Sequence, residues 1–165
     1  MIRNIRNIRK IIDFKQIKLL TNSLVLCDID DTILYYPGFK YNNEANNLDK
    51  WINHVKYNKP VKMCNSYFDL HNEVNRTSSK LILLTARNRD FEDLTRDHLG
   101  FLGLTYHDII FCSGQNKGCY LLKLLEFDTT YYNKVVFIDN ELDNIKDVSC
   151  IYGNAIEYYH FDKVK

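Results

Sequence analysis

The sequence LCDIDDTIL, residues 26–34, places three carboxylates directly after an apolar stretch. Asp28, Asp30 and Asp31 crowd into four positions, and the residues before them, 23–26, read SLVL. An apolar stretch of this kind is typical of a buried strand. Like charges gathered at the end of a buried strand destabilise the fold unless a partner offsets them. The segment therefore predicts a functional site that contains a counter-charge.

The order of apolar stretches predicts the fold class. Four stretches predict central strands and a fifth predicts a strand near the C-terminus: 24–27, 81–84, 109–112, 135–138 and 155–161. Most of these residues are apolar on both faces, as in a parallel sheet that is covered on both sides. Helical spacing of apolar residues in 90–99, 117–127 and 142–148 separates the later strands. Alternating strands and helices predict a three-layer α/β fold.

The segment between the first two strands, residues 35–80, is much longer than a simple crossover helix requires. It contains helical patterns near 44–57 and 66–79 and many aromatic residues. We predict that it forms a small helical cap inserted after the first strand. Its aromatic residues are predicted to form the core of the cap, and a substrate-facing role for one or two of them is the alternative.

The N-terminal segment, residues 1–23, is predicted to be an amphipathic helix packed on the core. Its isoleucines recur at spacings of three and four, which places them on one helical face: Ile2, Ile5, Ile8 and Ile12. The segment is rich in arginine and lacks acidic residues before Asp13, so an organelle transit peptide is a second interpretation. A role in oligomerisation or at a membrane surface is a third.

Composition excludes several classes of protein. The net charge of +1 argues against a nucleic-acid binder that relies on bulk positive charge. No apolar run approaches the roughly 20 residues that a membrane-spanning helix requires. The five cysteines are scattered and lack CxxC spacing, which argues against a zinc site or a disulfide framework. We interpret them as buried thiols of a protein in a reducing, cytoplasmic compartment.

Polar residues follow each predicted strand at its carboxyl end. Thr85, Ala86 and Arg87 follow the second strand, Lys117 comes shortly after the third, and Asp139 ends the fourth. Ligands bind beside the carboxyl ends of strands in open parallel sheets, so these residues are expected to converge with Asp28. Carboxylates without nitrogen or sulfur partners suit a hard cation such as Mg²⁺.

The same residues resemble the four motifs of the haloacid dehalogenase-like (HAD) superfamily. Asp28-x-Asp30-x-Thr32 resembles the first motif and LLTAR, residues 83–87, the second. Lys117 matches the lysine of the third motif, and VVFIDNELD, residues 135–143, resembles the fourth. The segment FCSGQNKG, residues 111–118, is also similar to a less characterised HAD subgroup with an F-x-S-G-x-x-K-G pattern. The resemblance covers about residues 24–148 and implies a Rossmann-like core of 24–34 and 81–165.

The resemblance implies a catalytic role for four residues. Asp28 is the implied nucleophile, which attacks phosphorus and forms an aspartyl-phosphate. Asp30 is the implied general acid and then general base. Thr85 is implied to hydrogen-bond a phosphoryl oxygen, and Lys117 to offset the negative charge of nucleophile and phosphoryl group.

The resemblance also implies a metal site and a substrate side. Mg²⁺ is implied to bind Asp28, the backbone carbonyl of Asp30, and Asp139. Asp143 is implied to lie just outside the direct metal ligands or to orient Lys117. The alternative is that Asp143 is an ordinary acidic residue in the first turn of a helix, where the helix dipole favours it. The residues implied on the substrate side are Thr32, Ala86 and Arg87, and for Arg87 a surface ion pair is equally open.

These expectations define a Mg²⁺-dependent phosphomonoester hydrolase that acts on a phosphorylated small molecule. The alternatives are a phosphotransferase with the same chemistry and a non-catalytic binding or regulatory protein with the same fold. A dehalogenase is disfavoured because that branch does not need the second carboxylate, Asp30. Two residues depart from the family pattern: Asp31 stands where many relatives have Gly, and Asn140 where many have Asp. Neither departure removes a residue that the implied mechanism requires.

Overall fold

A parallel sheet of six strands forms the centre of the computed structural model, which describes residues 7–39, 47–124 and 127–165. The strands, in chain order, are β1 Ile8–Ile11, β2 Ser23–Cys27, β3 Leu34–Tyr35, β4 Val61–Lys62, β5 Lys80–Thr85, β6 Asp108–Phe111, β7 Lys134–Asp139 and β8 Glu157–Phe161. The α-helices are α1 Asn47–Tyr57, α2 Tyr67–Arg76, α3 Glu92–Phe101, α4 Lys117–Lys123 and α5 Leu142–Tyr152. The order across the sheet is β1-β8-β7-β2-β5-β6, and β3 pairs with β4 in a separate antiparallel ribbon.

The central strand β2 shows why the sheet is covered on both sides. All five of its residues are buried, and alternate side chains enter different clusters. Val25 and Cys27 pack in one cluster with residues of α2 and α3, whereas Leu24 and Leu26 pack in the other with residues of α4 and α5. Because successive side chains of a strand point to opposite faces, both faces of β2 must be apolar. The predicted three-layer, Rossmann-like α/β fold is confirmed.

The insertion after β2 divides into two parts. β3 and β4 pair antiparallel, with Leu34 opposite Lys62, and α1 lies between them in the chain. The second predicted helical stretch forms α2, whose Tyr67, Leu70 and Val74 are buried in the cluster on one face of the sheet. α2 is therefore the crossover helix between β2 and β5 rather than part of a separate cap, and we use the word cap below for α1 with the β3–β4 ribbon. The predicted start of the first stretch, residues 44–46, lies outside the described residues.

The N-terminal helix prediction is wrong for the described part of residues 1–23. Residues 8–11 form the edge strand β1, which pairs parallel with β8 so that Ile11 lies opposite Phe161. Ile11 is buried, but Ile12, which the helical pattern placed on the packed face, is 60% exposed. Backbone pairing with β8 and burial of Ile11 therefore outweigh a local helical spacing. Ile2 and Ile5 lie outside the described residues.

After β1 the chain forms a short 3-10 helix that packs against the end of β8. A one-turn 3-10 helix at Phe14–Gln16 begins with Asp13 as its N-cap, and Phe14 stacks on Phe161 with ring centroids 4.7 Å apart. These contacts attach the N-terminal segment to the sheet. Within the described residues, no helix has both the length and the apolar character that crossing a membrane would require.

Candidate active site

The carboxyl ends of β2 and β7 meet around one buried ammonium group. Lys117 Nζ lies 2.7 Å from Asp28 Oδ1 and 2.6 Å from Asp139 Oδ2. Asp28 follows β2, Asp139 ends β7, and Lys117 is the first residue of α4. Asn116 caps that helix by accepting a hydrogen bond from the backbone N–H of Cys119, which places Lys117 at the helix start. The predicted convergence of these three residues is present.

Two carboxylates share this one lysine. Burial, and next the charge of Asp139, raise the pKa of Asp28 to about 8, although Lys117 acts in the opposite direction. Burial also opposes the charged form of Lys117, but the charges of Asp28 and Asp139 outweigh it and raise the pKa of the lysine. The group therefore carries surplus negative charge whenever Asp28 is ionised.

Gly118 allows α4 to approach α5 closely. A Cβ on Gly118 would lie 2.8 Å from Ile151 Cδ1 and 3.2 Å from the backbone oxygen of Asp147. The backbone N–H of Gly118 also donates to Asp147 Oδ2 at 3.1 Å. The residue next to Lys117 is thus fixed by backbone contact with α5, where only a glycine fits without displacement.

Asp139 is surrounded by N–H donors. Its Oδ1 accepts from the backbone N–H of Glu141 at 2.8 Å, and its Oδ2 accepts from Lys117 and, at 3.1 Å, from Asn144 Nδ2. Asp143, predicted beside the metal or Lys117, is exposed, while the neighbouring Asn144 contacts Asp139. Sequence reasoning missed Asn144 because an amide at this position belongs to no motif. The metal roles of Asp139 and Asp143 stay predictions.

An oxygen-rich corner lies on the other side of Asp28. With its nitrogen directed inward, the amide of Asn140 donates to Asp28 Oδ2 and to the backbone oxygen of Asp30, both at 3.1 Å. With its oxygen inward, the same amide would face these two acceptors, an arrangement that a bound cation would stabilise. Within residues 7–39, 47–124 and 127–165, no three His, Cys, Asp or Glu side chains form a metal site. A cation at this corner would therefore need the amide and the backbone carbonyl as ligands.

Thr32 closes the turn that carries Asp28. Its hydroxyl donates to Asp28 Oδ2 at 3.0 Å and accepts from the backbone N–H of Asn140 at 3.2 Å. Thr32 is fully buried, and the implied place of Thr32 on the substrate side stays a prediction. Asp31, the residue that departs from the family pattern, has a φ of +60° and forms an ion pair with Lys165 at 2.5 Å.

Asp30 is held by an arginine from the end of β5. Arg87 donates from Nε and Nη2 to the two oxygens of Asp30 at 2.9 and 2.7 Å, which is a bidentate ion pair. The Arg87 side chain is only 2% exposed, whereas that of Asp30 is 30% exposed. The sequence left two roles open for Arg87, substrate contact or a surface ion pair. The structure instead shows a buried ion pair with Asp30.

The ends of β5 and β6 are tied together at the edge of the site. The backbone N–H of Cys112 donates to the carbonyl of Thr85, and that of Gly114 to the carbonyl of Ala86, both at 2.8 Å. Thr85 is buried and its hydroxyl accepts from the backbone N–H of Arg87 at 3.2 Å, whereas Ala86 is exposed. The phosphoryl-binding role of Thr85 and the substrate role of Ala86 stay predictions.

Comparison with known proteins finds a family match and a likeness to solved structures, of which two are described below. Residues 102–164 match the family described as "Protein of unknown function (DUF2608)". The match covers Lys117 and Asp139 but less than half of the chain. No curated protein matches.

Both solved structures come from one complex. Their titles are "Structure of the Pnkp1/Rnl/Hen1 RNA repair complex" and "Structure of Pnkp1/Rnl/Hen1 complex". Each aligns with a TM-score of 0.57, at 15% and 16% identity, over 87% and 86% of this chain. This chain spans 42% and 47% of the chains it matches, so the likeness concerns part of each and shows the fold.

The raised pKa of Asp28 predicts a pH dependence of stability. In buffer with a chelator, we expect stability to fall as the pH rises from about 4 to about 8. The unfolded chain releases the Asp28 proton near its ordinary pKa, whereas the folded chain keeps it until about pH 8, so rising pH favours unfolding. Urea unfolding at several pH values, compared between wild type and Asp28→Asn, isolates this contribution. Parallel pH profiles for the two proteins would contradict the prediction.

Proposed function

We propose that this chain is a Mg²⁺-dependent phosphomonoester hydrolase that acts through an aspartyl-phosphate on Asp28. The observation that supports this most directly is the contact of the Asp28 carboxylate with the buried ammonium of Lys117. A structural ion pair would need one carboxylate, whereas here a second, Asp139, contacts the same ammonium. Surplus negative charge in a buried group is costly, and functional sites are where such arrangements are found.

The proposed chemistry uses Asp28 as nucleophile. One of its oxygens forms a bond to phosphorus while the bond to the ester oxygen breaks, and Asp30 donates a proton to that oxygen as it leaves. Asp30 then accepts a proton from the water that attacks phosphorus, which releases phosphate and restores the Asp28 carboxylate. Lys117 lies at Asp28 Oδ1, so its charge offsets the charge that a phosphoryl group brings. Two unit charges 4 Å apart interact by about 4 kcal/mol at an effective dielectric of about 20, so this offset is substantial.

The oxygen-rich corner fits a hard divalent cation. Asp28 Oδ2, the backbone oxygen of Asp30 and the Asn140 amide converge there, and Mg²⁺ prefers oxygen ligands. When bound, Mg²⁺ would supply positive charge to a phosphate dianion that approaches the site. Asn140 carries no charge, so this site has one fewer anionic ligand than the pattern with Asp at the same position.

The proposed substrate is a phosphorylated small molecule, because the cap is inserted where it can adjoin the site. A phosphorylated RNA end belongs in the substrate panel as well, since the similar solved structures come from an RNA repair complex. Phosphotransfer to an acceptor other than water uses the same first step.

The test is hydrolysis of 4-nitrophenyl phosphate with Mg²⁺ and with EDTA. We expect turnover that EDTA abolishes, and we expect Asn140→Ala to raise the Mg²⁺ concentration for half-maximal rate about tenfold through loss of an oxygen ligand. Asn140→Asp is the matched variant: it adds ligand charge and should lower that concentration. Equal rates with Mg²⁺ and EDTA would contradict the metal dependence, and absence of turnover would contradict the hydrolase.

A further inference from the structure

The buried guanidinium of Arg87 donates hydrogen bonds to other side chains of the protein. Besides its two bonds to Asp30, Nη1 donates to Thr95 Oγ1 at 3.0 Å and Nη2 donates to Tyr36 Oη at 3.0 Å. A guanidinium has five N–H donors in a fixed plane, so four directed bonds fix its orientation. A side chain that is 2% exposed and bonded in this way cannot reach a substrate.

The groups around Arg87 come from the cap and from α3. Tyr36 follows β3, Thr95 lies on α3, and Trp51 of α1 places its ring centroid 5.4 Å from the guanidinium carbon. Thr95 is fully buried and Tyr36 is 6% exposed, so both hold fixed positions. The cap therefore contacts Arg87, and Arg87 contacts Asp30, two residues from the proposed nucleophile.

We propose that Arg87 is a positioning residue for Asp30 and that the cap, through Tyr36 and Trp51, holds Arg87 in place. This inference rests on the proposed hydrolase function. The bidentate pair restricts the partly exposed Asp30 side chain to one orientation, which a single hydrogen bond would not achieve. The cap thus affects the orientation of Asp30, and through it the reaction, by holding Arg87 in place.

A lysine at the same position separates orientation from charge. Arg87→Lys keeps the positive charge but loses the planar fork. We expect kcat to fall about 10- to 100-fold with little change in KM, because a misplaced group slows the reaction without weakening substrate binding. Arg87→Ala should lose at least as much, and guanidinium chloride, at concentrations too low to unfold the protein, should restore part of kcat where sodium chloride does not.

The cap contact is tested on α1. Trp51→Leu removes the ring over Arg87, and we expect kcat to fall about threefold or more at unchanged KM. Tyr57→Leu is the matched control, since Tyr57 lies on the same helix and is 79% exposed, and its kcat should equal that of wild type. Trp51 is only partly buried, so this variant is expected to fold even if Arg87→Ala does not.

The outcomes separate this inference from the proposed function. An unchanged kcat in Arg87→Lys, or a raised KM at constant kcat, would overturn the positioning role while hydrolysis itself stands. Equal losses in Trp51→Leu and Tyr57→Leu would overturn the role of the cap. Absence of turnover in the wild-type protein would overturn the hydrolase and the inference together.

Discussion

Asp28→Asn is expected to abolish hydrolysis of an aryl phosphate and to leave the fold intact. Loss of a nucleophile typically lowers kcat by about 10³-fold or more, because no other group takes over the covalent step. At pH 8 and above the variant should also be more stable than wild type, since one neutral amide then replaces one of two carboxylates around Lys117. Activity assays and urea unfolding on the same preparations measure both effects.

Asp31→Asn is the matched control for this experiment. It makes the same chemical change three residues along, at a carboxylate that contacts Lys165 instead of Lys117. Asparagine tolerates the left-handed backbone of position 31, whose φ is +60°. We expect near wild-type turnover from it. Residual hydrolysis by Asp28→Asn comparable to that of Asp31→Asn would rule out Asp28 as the nucleophile.

Lys117→Met is expected to destabilise the protein by about 3–5 kcal/mol at pH 8 and to remove activity, because it leaves buried carboxylates without a counter-charge. Asp139 is fully buried and Asp28 is 6% exposed, so neither can regain hydration without a rearrangement. The free energy of unfolding in urea, with a chelator present, measures the loss.

Two further variants show whether charge is the cause. Lys123→Met changes an exposed lysine of the same helix, whose ammonium donates to the exposed side chain of Gln115, and it should cost less than about 0.5 kcal/mol. Adding Asp28→Asn to Lys117→Met should recover part of the lost stability, since fewer charges then lack a partner. A double variant no more stable than Lys117→Met would indicate lost packing as the cause.

The sheet could be predicted from sequence because its signal is local. Strands such as β2 and β7 are apolar on both faces, so composition alone marks them as central strands of a parallel sheet. The convergence of Asp28, Lys117 and Asp139 then follows from a general property of such sheets, whose carboxyl ends share one edge. A strand order was not needed for that inference.

The features that sequence reasoning missed depend on distant partners. β1 is a strand because β8 pairs with it from the other end of the chain, and no local pattern contains that information. Arg87 pairs with Asp30 across 57 positions, so its buried state could not be distinguished from a surface pair. The Asn140 amide faces Asp28 and Asp30 for the same reason: the turn after β7 meets the turn after β2 only in the folded chain.

The contact of Gly118 with α5 helps to fix where Lys117 lies, and this contact does not depend on the charge of the lysine. At the start of α4, a Cβ on residue 118 would lie 3.2 Å from backbone atoms of Asp147 and Val148, closer than most side chains approach a backbone. This close approach therefore contributes to the position of Lys117 together with its ion pairs to Asp28 and Asp139. A search for other sequences with this site should require the dipeptide Lys-Gly, because the glycine indicates a close approach of α4 to α5 and the lysine alone does not.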